Sequence, residues 1–490
     1  VSDPEIMRDI VLHQIGFIPY KYFPDEKRLE VYSEVKINIS ENGESDNNYT
    51  LPQKKSRVFE ELYRNSIINH TPSNRSEDYQ TPSILYICGG SSCNNDYFQE
   101  LVLWRHKQGY EVTVIPTSES GNSETAINNF ISNAYYTWDN PPEIVGLVGD
   151  VGGSYNIACD MYEWGSGWYG YSGASDVKYT YIVGNDLLPE VVIGRISADD
   201  SNDLNNIINK TIQYEKAQLQ TDIGWFERAA LIGDPTSSGL SCAITNQWIK
   251  ELMIQYGFED VAADLNGGGS QLENFLNDNF NEGIMYYNYR GIYGSPGAYL
   301  PNNGNNLSNG YYTPFATVLT CGTGDFNQDD DSEDFIRTGS VNSPKGAVAC
   351  VGTSTTGTHT AYNNIINMGI YDGIFAKGVS FAGSATTSGR LAIYETYPTN
   401  PGDCVGAFSA WNNLMGDPAL HLWTDTPQDF NISLPSQISL GTNYLDLVVT
   451  NSNGDLVENA RVTLLMGDDT IFESNYTDIN GHVAFDWDNI

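Results

Sequence analysis

The sequence predicts an α/β protein in which mostly parallel sheets carry helices on both faces, with a small β module at each end. Through the middle of the chain, short apolar runs such as SILYIC and EVVIGR alternate with amphipathic stretches such as CAITNQWIKELMIQYG. This alternation is typical of strand–helix–strand units. Near both ends it gives way to alternating apolar and polar residues, the pattern of antiparallel strands. The length of 490 residues favours two or three domains.

The N-terminal β module is predicted over residues 1–57. Within it, KRLEVYSEVKINIS at residues 27–40 alternates apolar and polar side chains and is rich in β-branched residues, which predicts a half-buried antiparallel strand. From about Val58 the alternation is lost, and the run NHTPSNRSEDYQTPS is polar and irregular. Residues 58–81 are therefore predicted to be a linker.

The central region, residues 82–425, is predicted to form two αβα subdomains. Residues 426–490 alternate again, and the turn signals NSNGD and DING mark hairpins, so a small β-sandwich is predicted there. This module lacks the strands that would close a sandwich. Either the chain continues, or a neighbouring molecule supplies a strand by edge pairing, so self-association through strand exchange at the end modules is one expectation.

The composition narrows the classes of partner. With 62 acidic and 24 basic residues, the chain carries a formal charge of -38, which repels nucleic acid and anionic membranes. Its acidic residues, 47 glycines and 32 tyrosines favour an extracellular, loop-rich protein that binds divalent cations. No apolar window is long enough to span a bilayer, and no basic-then-apolar leader is present. Because the chain starts at Val1, either a leader has been removed or the numbering begins inside a longer precursor.

Seven cysteines are few for a disulfide scaffold, and their odd number leaves at least one unpaired in a monomer. Cys88 and Cys93 are near enough in sequence to close a short loop, and Cys321 is the expected free thiol. The others are candidates for pairing: Cys159, Cys242, Cys350 and Cys404. The alternative is that most are buried apolar side chains.

Two glycine-rich turns stand out in the second half of the central region. NYRGIYGS at residues 288–295 and ATVLTCGTGDF at residues 316–326 each lie where an apolar segment ends. Ligand sites in parallel sheets form beyond the carboxyl ends of the strands. Both turns are therefore expected at one edge of the sheet.

Several segments, in this order, resemble the gingipain family of caspase-like cysteine peptidases over nearly the whole chain. They are MRDIVLHQIGFIPYKYFPDEKRLEVYSEVKI, GLVGD, SDVKYTYIVGNDLLPEVVIGRIS, GIMYYNYRG, TVLTCGTGDF, GAVACVGTSTTGTHT and WNNLMGDPALHLW. The resemblance implies a caspase-like αβα sandwich, a partial prodomain at the N-terminus and an Ig-like domain at the C-terminus. It also implies a prokaryotic, extracellular or cell-surface endopeptidase that acts on protein or peptide substrates without an organic cofactor.

The resemblance implies that Cys321 is the nucleophile. Its setting suits acyl transfer, since a thiolate beyond a parallel strand is followed by glycines whose N–H groups approach an oxyanion. The alternative is a buried cysteine beside a tight turn.

The sequence departs from the family where the general base is expected. Family members of the best-known kind have Gly-His-Gly, and this chain has Gly291, Ile292, Tyr293 and Gly294. Tyr293 is a candidate for binding substrate, but a phenol with a pKa near 10 is a poor base at neutral pH.

His359, in GTSTTGTHTAYNN, follows the strand next to that of Cys321 and is the candidate substitute base. The alternative is a loop histidine bonded among threonines. Asp150 in GLVGD is the candidate to orient it. Asp176, in GASDVKY, corresponds to an acidic position in the primary specificity pocket of arginine-preferring relatives, where it would pair with a substrate Arg or Lys. A capping or turn aspartate is the alternative.

Asp325, Asn327 and Asp329 in DFNQDDDSED repeat the start of a calcium loop. Asp330 and Ile336 occupy positions where an EF-hand needs Gly and Glu, which excludes that motif. An irregular calcium site and a solvated acidic loop both remain.

The sequence supports two main functions. The first is a cysteine endopeptidase, with a preference for basic residues if Asp176 lines the pocket. The second is an inactive relative that serves as an extracellular structural, adhesive or filament subunit, which the missing histidine and the incomplete end modules favour. A binding module built on the aromatic run MYEWGSGWYGYSG is a third. If residues 1–57 cover the catalytic edge, the chain is a latent zymogen.

Overall fold

The computed structural model of the protein describes residues 1–40, 49–73, 75–165, 170–437, 439, 441–467 and 469–486. The strands in chain order are β1 (Glu5–Met7), β2 (Ile10–Leu12), β3 (Tyr20–Phe23), β4 (Arg28–Val31), β5 (Ser83–Cys88), β6 (Glu111–Pro116), β7 (Ile144–Val148), β8 (Asp160–Trp164), β9 (Tyr171–Ser175), β10 (Val192–Ile196), β11 (Arg228–Gly233), β12 (Asp260–Asp264), β13 (Tyr286–Arg290), β14 (Phe315–Val318), β15 (Gly339–Ser340), β16 (Ser343–Pro344), β17 (Ala349–Thr353), β18 (Asn412–Met415), β19 (Phe430–Ile432), β20 (Tyr444–Asn451), β21 (Arg461–Leu465), β22 (Phe472–Tyr476) and β23 (His482–Asp486).

The α-helices are α1 (Arg57–Ser66), α2 (Asp96–Lys107), α3 (Thr117–Ser120), α4 (Glu124–Thr137), α5 (Ser201–Lys216), α6 (Pro235–Ser238), α7 (Leu240–Tyr256), α8 (Ser270–Glu282), α9 (Asp331–Arg337), α10 (Thr360–Phe375), α11 (Ala382–Thr396) and α12 (Cys404–Trp411). None of these helices is both long enough and apolar enough to cross a membrane, among the residues described.

Ten strands form one continuous sheet, in the order β12-β11-β13-β14-β17-β18-β10-β7-β5-β6. The two predicted subdomains therefore share a single sheet rather than having one each. Strands β5, β7, β10, β13 and β17 are buried along their whole length. Burial on both faces explains the apolar runs of β5 and β7, whereas β10 and β13 also bury polar side chains, among them Arg195 and Arg290. The prediction of a mostly parallel α/β fold is confirmed.

Strand β18 reverses the direction of half the sheet. It pairs antiparallel with β17 and parallel with β10. The strands on the β10 side therefore run opposite to those on the β17 side. The carboxyl ends of β13, β14 and β17 lie at the same edge as the amino ends of β10, β7 and β5.

The N-terminal module departs from the prediction. The half-buried strand expected over residues 27–40 is only the four-residue strand β4, and every residue of β4 is exposed. Its one partner is β3, so this hairpin has no covered face among the described residues. The alternation of apolar and polar residues therefore belongs to a two-stranded hairpin whose apolar side chains are exposed to solvent.

The first half of the predicted linker is helix α1. Its apolar residues Val58, Phe59, Leu62 and Tyr63 all lie on one face and are buried, and Ser56 caps its first turn. The spacing of these four residues was a helical signal that the linker assignment overlooked.

Arg8 anchors the N-terminal hairpin to the central sheet. Its guanidinium is fully buried and donates hydrogen bonds to the carbonyl oxygens of Pro141, Pro142 and Glu190 and to Gln80 Oε1, over 2.8–3.1 Å. These partners precede strands β5, β7 and β10. The hairpin therefore lies at the amino ends of these strands and, among described contacts, does not reach Cys321.

Glu190 makes the stability of the fold depend on pH. Burial raises the pKa of its carboxyl group to about 8, against an ordinary value of 4.5. The folded protein therefore binds more protons than the unfolded chain between these values, so this group's contribution to stability falls as the pH rises from about 4.5 to about 8. Scanning calorimetry should show a smaller loss of thermal stability over this range in Glu190→Gln than in the unmodified protein. An unchanged slope in a folded Glu190→Gln variant would contradict this assignment.

Residues 426–486 form two small antiparallel sheets, one of strands β19, β20 and β23 and one of β21 and β22. Their shared core includes Leu445, Leu447, Val483 and Phe485. The β-sandwich prediction agrees with this arrangement, and the Ig-like assignment remains a prediction.

In the described structure all seven cysteines are free thiols, so none of the pairings that the sequence left open is formed there. Four of them are fully buried: Cys88, Cys242, Cys350 and Cys404. The structure thus favours the alternative, in which most of these thiols serve as small apolar side chains.

Candidate active site

The candidate site lies where three neighbouring parallel strands end. Tyr289 of β13 pairs with Val318 of β14, which pairs with Gly352 of β17. The turn at residues 291–294, the Cys321 turn and the segment at residues 354–359 follow these strands directly. The prediction that the two glycine-rich turns share an edge agrees with this register.

Cys321 is half-buried, and its sulfur lies 2.9 Å from the hydroxyl oxygen of Thr358. The turn that follows is held against the chain beyond β17, since the Gly322 N–H donates to Thr355 O and the Gly324 N–H to Thr353 O. Gly322 has a φ of +65°, a conformation that favours glycine.

These hydrogen bonds revise the expected oxyanion site. The amides of Gly322 and Gly324 are already used, so they are not free to bind a developing oxyanion. The N–H of Cys321 itself donates no hydrogen bond to any described residue. It is therefore the available donor at the nucleophile.

The turn at residues 291–294 is tied to the Cys321 turn through backbone oxygens. The Thr320 hydroxyl donates to Gly291 O over 2.8 Å, and the Tyr289 hydroxyl donates to Ile292 O over 2.7 Å. Tyr293 is 52% exposed and has no described contact with Cys321. The negative charge of Asp331 raises the pKa of Tyr293, which makes the phenol a still poorer base near neutral pH.

His359 caps helix α10 and does not contact Cys321. Its Nδ1 accepts a hydrogen bond from the Ala361 N–H over 3.1 Å, and its ring centroid lies 5.4 Å from that of Tyr362. With Nδ1 accepting, the neutral ring carries its proton on Nε2. In this arrangement Nε2 of His359 can donate a hydrogen bond but cannot accept a proton. Acting as a base requires the loss of its capping bond.

Asp176 is paired within the protein. Its two carboxylate oxygens accept hydrogen bonds from Nε and Nη2 of Arg195, over 2.8 and 2.7 Å. Both side chains are buried, and the Arg195 guanidinium also lies 4.8 Å from the centroid of the Phe326 ring. The carboxylate expected to meet a substrate cation thus already holds one.

Asp150 lies at the opposite edge from Cys321, because it follows β7 and β7 runs against β14. Its carboxylate pairs with Arg337 over 2.9 Å and accepts a hydrogen bond from Ser197. The suggestion that Asp150 orients His359 is therefore wrong, since the reversal at β18 separates the two residues.

The predicted calcium residues are only partly brought together. Oxygens of Asp329 lie within 4.8 Å of those of Asp150 and Asp199, whereas Asp325 belongs to no such group among the described residues. Asn327 is exposed. Arg337 pairs with both Asp150 and Asp329, so a protein cation already offsets part of this charge. Calcium binding remains a prediction.

The aromatic run MYEWGSGWYGYSG forms the hairpin of β8 and β9, with residues 166–169 outside the described structure. The Trp164 ring packs against Phe408 and Trp411, and its indole N–H donates to Gly402 O. Trp164 thus packs within the protein, which favours a structural role over ligand binding for this part of the aromatic run.

Comparison with known proteins decides the family. Residues 77–423 match the family model of peptidase family C25, and residues 1–77 match that of the C25 propeptide. The chain belongs to peptidase family C25. The propeptide match covers the N-terminal module and helix α1, so the boundary lies within the predicted linker.

Curated relatives of this C25 chain come from Porphyromonas gingivalis. Gingipain R1 is 27% identical over 463 residues, which are 90% of this chain and 44% of that protein. Gingipain R2 of strain ATCC 33277 is 27% identical over 498 residues, 94% of this chain and 64% of that protein. Lys-gingipain HG66 is 23% identical over 518 residues, 97% of this chain and 28% of that protein. The chain thus spans between 28% and 64% of the length of these relatives.

Solved structures show that this C25 chain has the caspase-like fold of gingipains. The crystal structure of the Arg-specific cysteine proteinase gingipain R (RgpB) aligns with a TM-score of 0.72 at 23% identity, covering 86% of this chain and 94% of that one. The complex of P. gingivalis RgpB pro- and mature domains aligns with a TM-score of 0.67 at 22% identity, covering 83% and 93%.

Three residues escaped the sequence analysis: Thr358 and Arg290 at the C25 site, and Arg195, which pairs with Asp176. Thr358 adjoins the residue that was chosen, His359, and is the one that contacts the thiol. Arg195 and Arg290 carried a signal, because each is an arginine within a strand whose residues are all buried.

Proposed function

We propose that this C25 chain is a secreted or cell-surface cysteine endopeptidase with Cys321 as its nucleophile. The observation that carries the proposal is the position of the Cys321 thiol. It is half-buried at the carboxyl end of β14, on the edge shared by three parallel strands, within the region that matches the family. Protein or peptide substrates follow from the family.

The Cys321 sulfur would attack the scissile carbonyl as a thiolate, and the Cys321 N–H would donate to the oxyanion that forms. The Thr358 hydroxyl, 2.9 Å from the sulfur, is placed to donate a hydrogen bond to the thiolate. Thiols ionise to a few per cent at neutral pH without an adjacent base, so a missing imidazole slows a cysteine nucleophile without abolishing it. The oxyanion would then collapse, breaking the C–N bond to leave a thioester on Cys321, and the amine would depart with a proton taken from solvent. Water would hydrolyse the thioester, which releases the carboxylic acid and restores the thiol.

A preference for basic residues is the finer part of this proposal. It depends on Asp176, whose carboxylate is held by Arg195, so a substrate Arg or Lys must compete with a buried protein cation. We therefore expect the chain to discriminate less between basic and uncharged side chains than an enzyme with a free carboxylate in its pocket.

Digestion of a complex peptide mixture tests the function. The full chain should produce cleavage products that mass spectrometry maps to internal peptide bonds, and Cys321→Ala should produce none. His359→Ala should keep most of the activity, because His359 does not contact the thiol. A thousandfold loss, of about the size seen for a true general base, would instead make His359 part of the machinery.

The second candidate function is an inactive C25 relative that acts as an extracellular structural, adhesive or filament subunit. The observation that favours it is that no imidazole contacts Cys321 among the described residues. The exposed hairpin of β3 and β4 offers an edge for the strand exchange that such a subunit would use. Failure of the full chain to cleave any peptide, together with concentration-dependent oligomers in sedimentation, would favour this function.

A further inference from the structure

Arg290 is a buried cation without an acidic partner, and it lies beside the candidate nucleophile. It is the last residue of β13, directly before the turn where the family's histidine is expected, and only 1% of its surface is exposed. Its Nε donates to Asn364 Oδ1 over 2.9 Å. Within the described part of the chain, no carboxylate lies within 4.0 Å of its guanidinium, and its Nη groups donate no hydrogen bond.

The three other fully buried arginines are better compensated. Arg8 also lacks a carboxylate partner, but its two Nη groups donate to four acceptor oxygens. Arg105 pairs with Glu215 and Asp417, and Arg195 pairs with Asp176. A buried charge without a compensating partner is costly, so an unpaired guanidinium at this depth needs an anion or a set of acceptors near it.

Three ionisable groups act on the Arg290 guanidinium: the thiols of Cys242 and Cys321 and the phenol of Tyr289. Burial raises the pKa of Cys242 and that of Tyr289, so both are neutral near pH 7. Cys321 is the one of the three that lies at the open edge of the site, where β14 runs beside β13 and the Thr320 hydroxyl bonds to Gly291 O.

We propose that Arg290 is the counter-cation of the Cys321 thiolate, a positioning residue that supplies the positive charge which a histidine would otherwise bring to this edge. Asn364 fixes the orientation of the guanidinium from helix α10, the helix that follows Thr358 and His359. This role for Arg290 rests on the proposed function, because a stabilised thiolate serves catalysis only if Cys321 is the nucleophile. The effect of the Arg290 charge on the reactivity of the Cys321 thiol can be measured even if the protein hydrolyses no peptide.

Alkylation with reagents of different charge tests the proposal. The full chain is treated with iodoacetate, which is anionic, or iodoacetamide, which is neutral, and mass spectrometry measures the rate at each cysteine. Cys93 is the internal reference, because it is also partly exposed and lies on the same acidic protein, whose net negative charge repels iodoacetate. No arginine is among the groups that shift the pKa of Cys93. We expect the ratio of iodoacetate to iodoacetamide rates to be several-fold higher at Cys321 than at Cys93, since a nearby cation attracts the anionic reagent.

Two variants separate charge from packing. Arg290→Met should lower the ratio at Cys321 to that of Cys93 and slow its alkylation about tenfold, whereas Arg290→Lys should keep the higher ratio. Equal ratios at Cys321 and Cys93 in the unmodified protein would overturn the proposal even if neither variant folds. An unchanged ratio in a folded Arg290→Met variant would also overturn it. A high ratio at Cys321 in a chain that cleaves no peptide would support the role of Arg290 while the proposed function fails.

Discussion

Asp176→Asn is expected to destabilise the fold by about 3–5 kcal/mol, the usual cost of removing one partner from a buried ion pair. The Arg195 guanidinium is fully buried and donates to both carboxylate oxygens. Asparagine keeps the shape of the side chain but removes the charge and offers one acceptor oxygen instead of two. Arg195 would then be left as a buried cation with only carbonyl oxygens and the Phe326 ring around it.

Denaturant titrations of Asp176→Asn and Glu77→Gln measure this cost against a matched surface pair. Glu77 pairs with Arg75, but their side chains are 63% and 69% exposed. Removing that charge should leave the free energy of unfolding almost unchanged, because solvent screens an exposed pair. Equal free energies of unfolding for the two variants would show that the Asp176 carboxylate does not stabilise the fold. A role in binding substrate would then explain this residue better.

The strands of the central sheet were predictable because burial on both faces leaves a continuous apolar run in the sequence. SILYIC became β5, and EVVIGR supplied all of β10 except its last residue; every residue of both strands is buried. The direction of the strands was not predictable from such runs. The short strand β18 sets it by pairing antiparallel with β17 and parallel with β10, and this placed Asp150 at the wrong edge to help His359.

The place of the candidate site was predictable, but its side-chain contacts were not. Because β13 and β14 are parallel neighbours, their carboxyl ends lie at the same edge of the sheet, and Cys321 and residues 291–294 were therefore expected close together. Which side chain meets the thiol depends on the path of the loop after β17, and a shift of one residue there exchanges His359 for Thr358. Asp176 and Arg195 meet only because the turn at residues 177–180, which follows Asp176, packs on β10, and no local pattern encodes that packing.

The central claim is that the Cys321 thiol is a nucleophile directed at peptide carbonyls. A peptidyl electrophile, such as a peptidyl chloromethyl ketone, tests this because it binds as a substrate and then alkylates only a thiol placed where a scissile carbonyl would lie. The chain offers its own controls, since Cys93 is a second partly exposed thiol and Cys321→Ala removes the proposed nucleophile. A small alkylating agent measures general thiol reactivity alongside.

The measurement is the rate and site of labelling by that peptidyl electrophile, followed by intact mass and by peptide mapping of the full chain. The account predicts saturable labelling of one thiol, Cys321, at least about a hundredfold faster than labelling of Cys93, and its complete loss in Cys321→Ala. Labelling that does not saturate, or that proceeds equally at Cys93 and Cys321, would contradict the account and leave this C25 chain without a substrate site at its cysteine.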